Sequence, residues 1–122
     1  MEWMYRIEPA VEVARLEVLC ALSALPALCA DVYEVTESQL GERAEASCVW
    51  GVFDTRRSSI RNGVRYELLS CPNALQWTVT TCKGETILHG SINQEAPDAD
   101  FAETIHVFLD NFRKGLMAAA SA

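Results

Sequence analysis

Apolar residues at Val11, Ala14, Val18, Leu22 and Leu25, widened by Leu16, Leu19 and Ala21, recur at helical spacing. They predict a helix that opens near Pro9, a residue suited to a first helical turn. It runs to about Ala24, because Pro26 restricts the residue before it and stops propagation. The second half of this helix is apolar nearly all round, so it must lie against a sheet or be shared with a second chain. Asp31 to Val35 reads as a short strand. Thr36 with Gln39 three positions later makes a capping-box pattern, and a short helix through SQLGERAEA, weakened by Gly41, is expected to follow.

From Cys48 onward the period changes to two. Cys48, Trp50 and Val52 alternate with Val49, Gly51 and Phe53; Val64, Tyr66 and Leu68 alternate with Arg65 and Glu67; and Trp77, Val79 and Thr81 alternate with Thr78 and Thr80. A turn at Lys83-Gly84 pairs Cys82 with Glu85, Val79 with Leu88 and Trp77 with Gly90. A turn at Pro72-Asn73 then pairs Leu68 with Trp77 and Tyr66 with Val79. Both turns put Tyr66, Leu68, Trp77, Val79 and Leu88 on one face and Glu67, Gln76, Thr78, Thr80 and His89 on the other. A slip of one residue inverts that sorting, so the agreement predicts an antiparallel meander with one wet face. If Phe53 ends one strand and Val64 begins the next, residues 54–63 form a hairpin loop longer than the usual length of roughly two to five residues.

The last element is the clearest. Asp100 with Glu103 forms an acidic capping box after Pro97, and Phe101, Ile105, Phe108, Phe112 and Leu116 recur at helical intervals. The helix either ends at Gly115 or continues through Leu116–Ala120. The expectation is one α+β domain over residues 1–122: an antiparallel β-meander of four to five strands flanked by an N-terminal and a C-terminal amphipathic helix.

Composition narrows the function classes. The chain has 122 residues, half of them apolar and 22% charged, with a mean hydropathy of +0.06. That is enough to bury a core without a metal or disulfide, and it argues against disorder. The net charge of −7 argues against nucleic acid as partner. VLCALSALPALCA (18–30) imitates the apolar core of a secretory signal, but the acidic leader before it contradicts that reading, and the run is too short to cross a bilayer. Cys20, Cys29, Cys48, Cys71 and Cys82 contain no C-x-x-C pair, so no metal or cofactor is signalled. Reduced cysteines packed as small hydrophobes point to a cytoplasmic protein.

Charge is unevenly divided. Residues 1–47 carry net −6, residues 48–84 net +3 and residues 85–122 net −4. Arg56, Arg57, Arg61 and Arg65 concentrate in the predicted 54–63 loop and just after it. Planar guanidinium forks presented there suit the carboxylates or phosphates of an acidic partner or ligand; a solvated hairpin paired with the chain's own acidic flanks is the alternative. Trp3, Met4 and Tyr5, ahead of the first helix, form a candidate interface. His89 and His106 have no partner at motif spacing, and no catalytic constellation emerges. Trp50, Tyr66, Trp77, Phe101, Phe108 and Phe112 either fill the core or line a cavity between sheet and helix.

Two function classes follow. The first is a noncatalytic protein-binding domain, an inhibitor, immunity-type protein, chaperone or adaptor that works through charged surfaces and forms a homodimer. The second is a small-molecule binder or enzyme that holds an acidic ligand with the Arg-rich segment. A thiol-based redox sensor is a third reading.

Overall fold

The computed structural model describes residues 1–38 and 42–122. In chain order they form β1 (Glu2–Ile7), α1 (Val13–Leu19), one 3-10 turn (Leu22–Ala24), α2 (Leu25–Leu28), β2 (Val32–Glu37), β3 (Arg43–Cys48), β4 (Gly51–Ile60), β5 (Gly63–Leu68), β6 (Gln76–Cys82), β7 (Glu85–Ser91) and α3 (Ala99–Ser121). The α+β class and antiparallel sheet are as expected. The described residues contain seven strands rather than four to five, in the order β1-β7-β6-β5-β4-β3-β2, with every neighbouring pair antiparallel.

The β6–β7 hairpin has the predicted register, with Cys82 opposite Glu85, Val79 opposite Leu88 and Trp77 opposite Gly90. Between β5 and β6 the register is two residues away from expectation: Tyr66 pairs with Trp77 and Val64 with Val79. The connection is a longer loop, in which the Cys71 amide bonds to the Leu68 carbonyl and the Ala74 amide to that of Cys71. A slip of two preserves the faces because side chains alternate with period two. Tyr66, Leu68, Trp77, Val79 and Leu88 are all buried on the inner face.

Three expectations are corrected. The N-terminal helix breaks: α1 ends at Leu19, and Pro26 stands in the first turn of α2 rather than stopping a helix, a position where its missing N–H costs nothing. Within the apolar run 18–30, Cys20, Leu22, Leu25, Leu28 and Cys29 are buried in the core, whereas Val18 is 75% exposed. Residues 43–48 form a strand, because pairing with β2 and β4 on both sides overrides the helix propensity of Glu and Ala; Gln39 of the capping-box pattern lies outside the described residues. Residues 54–60 are strand β4 rather than loop, paired with β3 and β5, and the connection to β5 is the tight turn Arg61-Asn62, with Asn62 at φ 67° in the left-handed region Asn tolerates.

α3 begins at Ala99, capped by the Asp98 carboxylate, which accepts from the amides of Asp100 (3.1 Å) and Phe101 (3.3 Å). It passes through Gly115 without stopping and buries Ile105, Phe108, Leu109, Phe112 and Leu116. Glycine at 115 permits a close approach: a Cβ there would lie 1.8 Å from the Leu28 carbonyl oxygen. Gly90 does the same for Leu109, whose Cδ1 would lie 2.5 Å from an added Cβ.

Candidate functional site

The β3–β4 turn, the β5–β6 connection and the start of α3 meet at one end of the sheet and border a pocket of about 350 Å³ that is open to solvent on one side. Trp50 from the turn, Phe53 from β4, Leu75, and Phe101 and Ile105 from α3 supply apolar walls; Cys71, Pro72 and Asn73 complete the lining. Trp50 is fixed in place, with Nε1 donating to Thr104 Oγ1 at 3.2 Å and the ring lying 4.9 Å from Phe108 and 6.4 Å, edge-on, from Phe101. The Thr104 hydroxyl in turn donates to the Phe101 carbonyl at 2.7 Å. Asn73 is held by Gln94 Nε2, which donates to its Oδ1 at 2.6 Å, and by the Asn93 amide, which donates to its carbonyl at 2.9 Å.

Deeper between sheet and helix the space is filled. Trp77 meets Phe108 edge-on at 5.2 Å and stacks on Tyr66 at 5.1 Å, and Phe112 closes on both. All four are at most 1% exposed. The Tyr66 hydroxyl donates to the Cys20 carbonyl at 2.6 Å, and burial pushes its phenol far above the ordinary value. Trp77 Nε1 is the one buried side-chain nitrogen or oxygen without a hydrogen-bond partner among the described residues. Of the six aromatic residues singled out in the sequence, Trp50 and Phe101 line the cavity and the other four fill the core. Sequence reading missed Phe53, Leu75 and Ile105 as cavity residues; Ile105 had signalled only a core position.

Arg57 is turned to the opposite face of the sheet from Arg56 and Arg65, which share the outer face as diagonal neighbours on β4 and β5. Arg57 points inward and is 7% exposed. Its Nε donates to the Cys20 carbonyl (3.0 Å), Nη2 to the carbonyl and carboxylate of Glu17 (both 2.9 Å), and Nη1 to Glu42 (3.0 Å) and Ser59 Oγ (3.4 Å). A guanidinium has five N–H donors, so none is left for a ligand. The groove beside it is lined by Glu17, Glu37 and Glu42 as well as Arg43 and Arg57, which does not favour an anion. Arg56 is exposed and bonds Glu67 at 2.9 Å. Arg61 sits in the hairpin turn, and Arg65 stands between Ser58 and Thr78 in the strand register.

Trp3, Met4 and Tyr5 are part of β1 at a sheet edge. Trp3 and Tyr5 pack against the core, and only Met4, 72% exposed, faces out. Tyr5 OH and His106 Nδ1 are 2.6 Å apart, and burial, followed by the charge of Asp110, raises the Tyr5 phenol. His89 Nε2 lies 2.7 Å from Glu2 Oε1. The five cysteines are free thiols: Cys20, Cys29 and Cys48 are buried, Cys71 half-buried and Cys82 exposed. No group of three or more His, Cys, Asp or Glu among the described residues is placed to hold a metal ion. No helix among them is long and apolar enough to cross a membrane.

No family model and no curated protein matches this sequence. Solved structures share its fold. XoxI from Bacillus cereus is 12% identical, with 98% of this chain and 94% of that one covered at a TM-score of 0.65. An uncharacterised protein from Bacillus thuringiensis is 13% identical, with 100% and 98% covered at 0.66. A START superfamily protein from Mycobacterium smegmatis is 11% identical, with 99% and 96% covered, also at 0.66. At these identities the likeness is one of fold alone.

Proposed function

We propose that the protein is a noncatalytic binder of a small, largely apolar molecule, held in the cavity between the start of α3, Trp50 and the β5–β6 connection. The observation that carries this reading is the cavity itself, concave and walled by Trp50, Phe53, Phe101, Leu75 and Ile105 with few polar groups. The START superfamily neighbour fits it. It replaces the arginines with aromatic residues as ligand holders, since Arg57 has no donor left and Arg56 is paired. The inhibitor or adaptor reading draws no support from the neighbours.

A thermal-shift panel of small apolar and ring compounds tests it. A ligand at about 100 times its Kd stabilises the native state by about 2.7 kcal/mol, which raises the Tm of a domain this size by about 10 °C. Binding should also alter tryptophan emission through Trp50, and Trp50→Ala should remove both effects. A broad panel with no shift, or a shift untouched by Trp50→Ala, defeats the proposal.

A further inference from the structure

We infer that β1 pairs edge to edge with β1 of a second copy of this chain, antiparallel and centred on Met4, so that the two sheets join into one. β1 stands at the end of the sheet order and bonds β7 on one side. Met1 and Ile92 exchange both backbone bonds, the Ile92 amide donating to the Met1 carbonyl at 3.1 Å and the Met1 nitrogen to the Ile92 carbonyl at 3.4 Å. Antiparallel ladders alternate and the register runs unbroken from Glu2 to Ile7, so Trp3, Tyr5 and Ile7 also turn their backbone toward β7. The amides and carbonyls of Glu2, Met4 and Arg6 then point away from the sheet, and no backbone bond from another described residue reaches them. All three residues are exposed, Met4 by 72%.

Such an edge is a template for another strand, and the order of its side chains selects which one. Glu2-Trp3-Met4-Tyr5-Arg6 reads acid, aromatic, methionine, aromatic, base. Rotated about Met4 it complements itself: Glu2 meets Arg6 of the second copy, Met4 meets Met4, and Trp3 meets Tyr5. Residues 2, 4 and 6 hold the free backbone groups, so this register makes them the hydrogen-bonded pairs. Trp3 and Tyr5 fall at the positions between, where side chains approach most closely. The charged groups keep capacity for the contact. Glu2 uses Oε1 on His89, and Arg6 uses Nη1 and Nη2 on Glu8 and Glu85, which leaves Glu2 Oε2 and Arg6 Nε unengaged among the described residues. The opposite edge lacks this symmetry. β2 carries Glu34 and Glu37 with no base, and its register shifts between Val32 and Glu34, features that keep an edge single. A two-fold contact of β1 with itself uses up that edge and closes at a dimer.

Sedimentation equilibrium of the full chain over a wide range of concentration tests this. The mass should rise reversibly from 13.5 kDa toward twice that value and no further. Arg6→Glu and Glu2→Arg each set like charges opposite one another twice, so each should weaken self-association about tenfold. Mixed in equal amounts, the two variants should form a heterodimer about as tight as the native dimer, because every acid then faces a base. Met4→Pro removes the outward amide at the centre without touching a bond to β7, so it should give a monomer with native circular dichroism. A native chain that stays monomeric at every concentration overturns the inference, as does growth beyond a dimer. A dimer that persists in folded Met4→Pro places the contact elsewhere and overturns it too. Charge variants that keep native affinity alone, or gain none when mixed, overturn the register, and they decide the matter by themselves if Met4→Pro does not fold.

Discussion

Arg57 joins strand β4 to the end of α1 through side-chain bonds to the carbonyls of Glu17 and Cys20, which the helix leaves without intrahelical partners. Arg57→Met leaves those carbonyls without their donor and the Glu17 carboxylate with Ser59 alone, so urea denaturation should show a loss of about 3 kcal/mol, and Arg57→Lys should not restore it because an ammonium lacks the fork. Arg56→Met, at an exposed pair, should cost at most about 1 kcal/mol. Burial pushes the Glu17 carboxyl up, but hydrogen bonds from Arg57 and Ser59 outweigh it and hold the group below its ordinary value. Its contribution is present above the unfolded value and lost as pH falls through the folded one, so the acid limb of the stability profile should flatten in Arg57→Met. Cys20 and Cys29 behave with the opposite sense: burial drives their thiols up to about 11 and about 12. The native state keeps them protonated, so stability is full below the ordinary thiol value and falls as pH rises toward those figures. In the folded protein iodoacetamide should label Cys82 first and leave Cys20 and Cys29 unmodified; early labelling of Cys20 would contradict this burial. The sequence flagged the arginines by their density, yet little local marks Arg57 as the inward one, because apart from Ser59 its partners stand 15 to 40 residues away.

Gly115 decides how closely α3 approaches α2. In an exposed helix Gly→Ala gains roughly 1 kcal/mol. Here an added Cβ lies 1.8 Å from backbone that cannot swing aside, so Gly115→Ala should lower stability by about 1–3 kcal/mol; a rise in Tm would mean that the two helices are further apart than described. Elements were legible where local signals agreed with tertiary pairing. The Lys83-Gly84 turn and the alternation on both sides of it fixed the β6–β7 register, and the apolar stripe of α3 fixed its face. They were illegible where pairing overrode local preference. Glu45 and Ala46 favour helix but sit between two strands, and the polar run from Asp54 to Ser59 reads as loop until Thr55 and Arg57 are seen buried on the inner face. β1 was missed because its partner, β7, lies at the other end of the chain.

At the scale of the whole molecule, the aromatic cluster sets stability. Phe108→Ala should cost about 3–5 kcal/mol, measured by denaturation; a loss below about 1 kcal/mol would contradict the packing of Phe108 against Trp77. The candidate site was half legible, since Trp50 and Phe101 were named as cavity candidates, while the three-way meeting of turn, loop and helix that makes a cavity of them is a property of the sheet order. That order has a further consequence in time. β2 to β7 close as successive hairpins, but Glu2 pairs with Ser91 and has no other strand to wait beside. At a synthesis rate of roughly 5–20 residues per second, Trp3, Met4 and Tyr5 emerge several seconds before the strand that covers them exists. The first strand made within this chain is thus the last to find its neighbour, and the native state should keep a trace of that order: β1 amides should exchange with deuterium faster than those shared by β6 and β7, and equal protection would refute it.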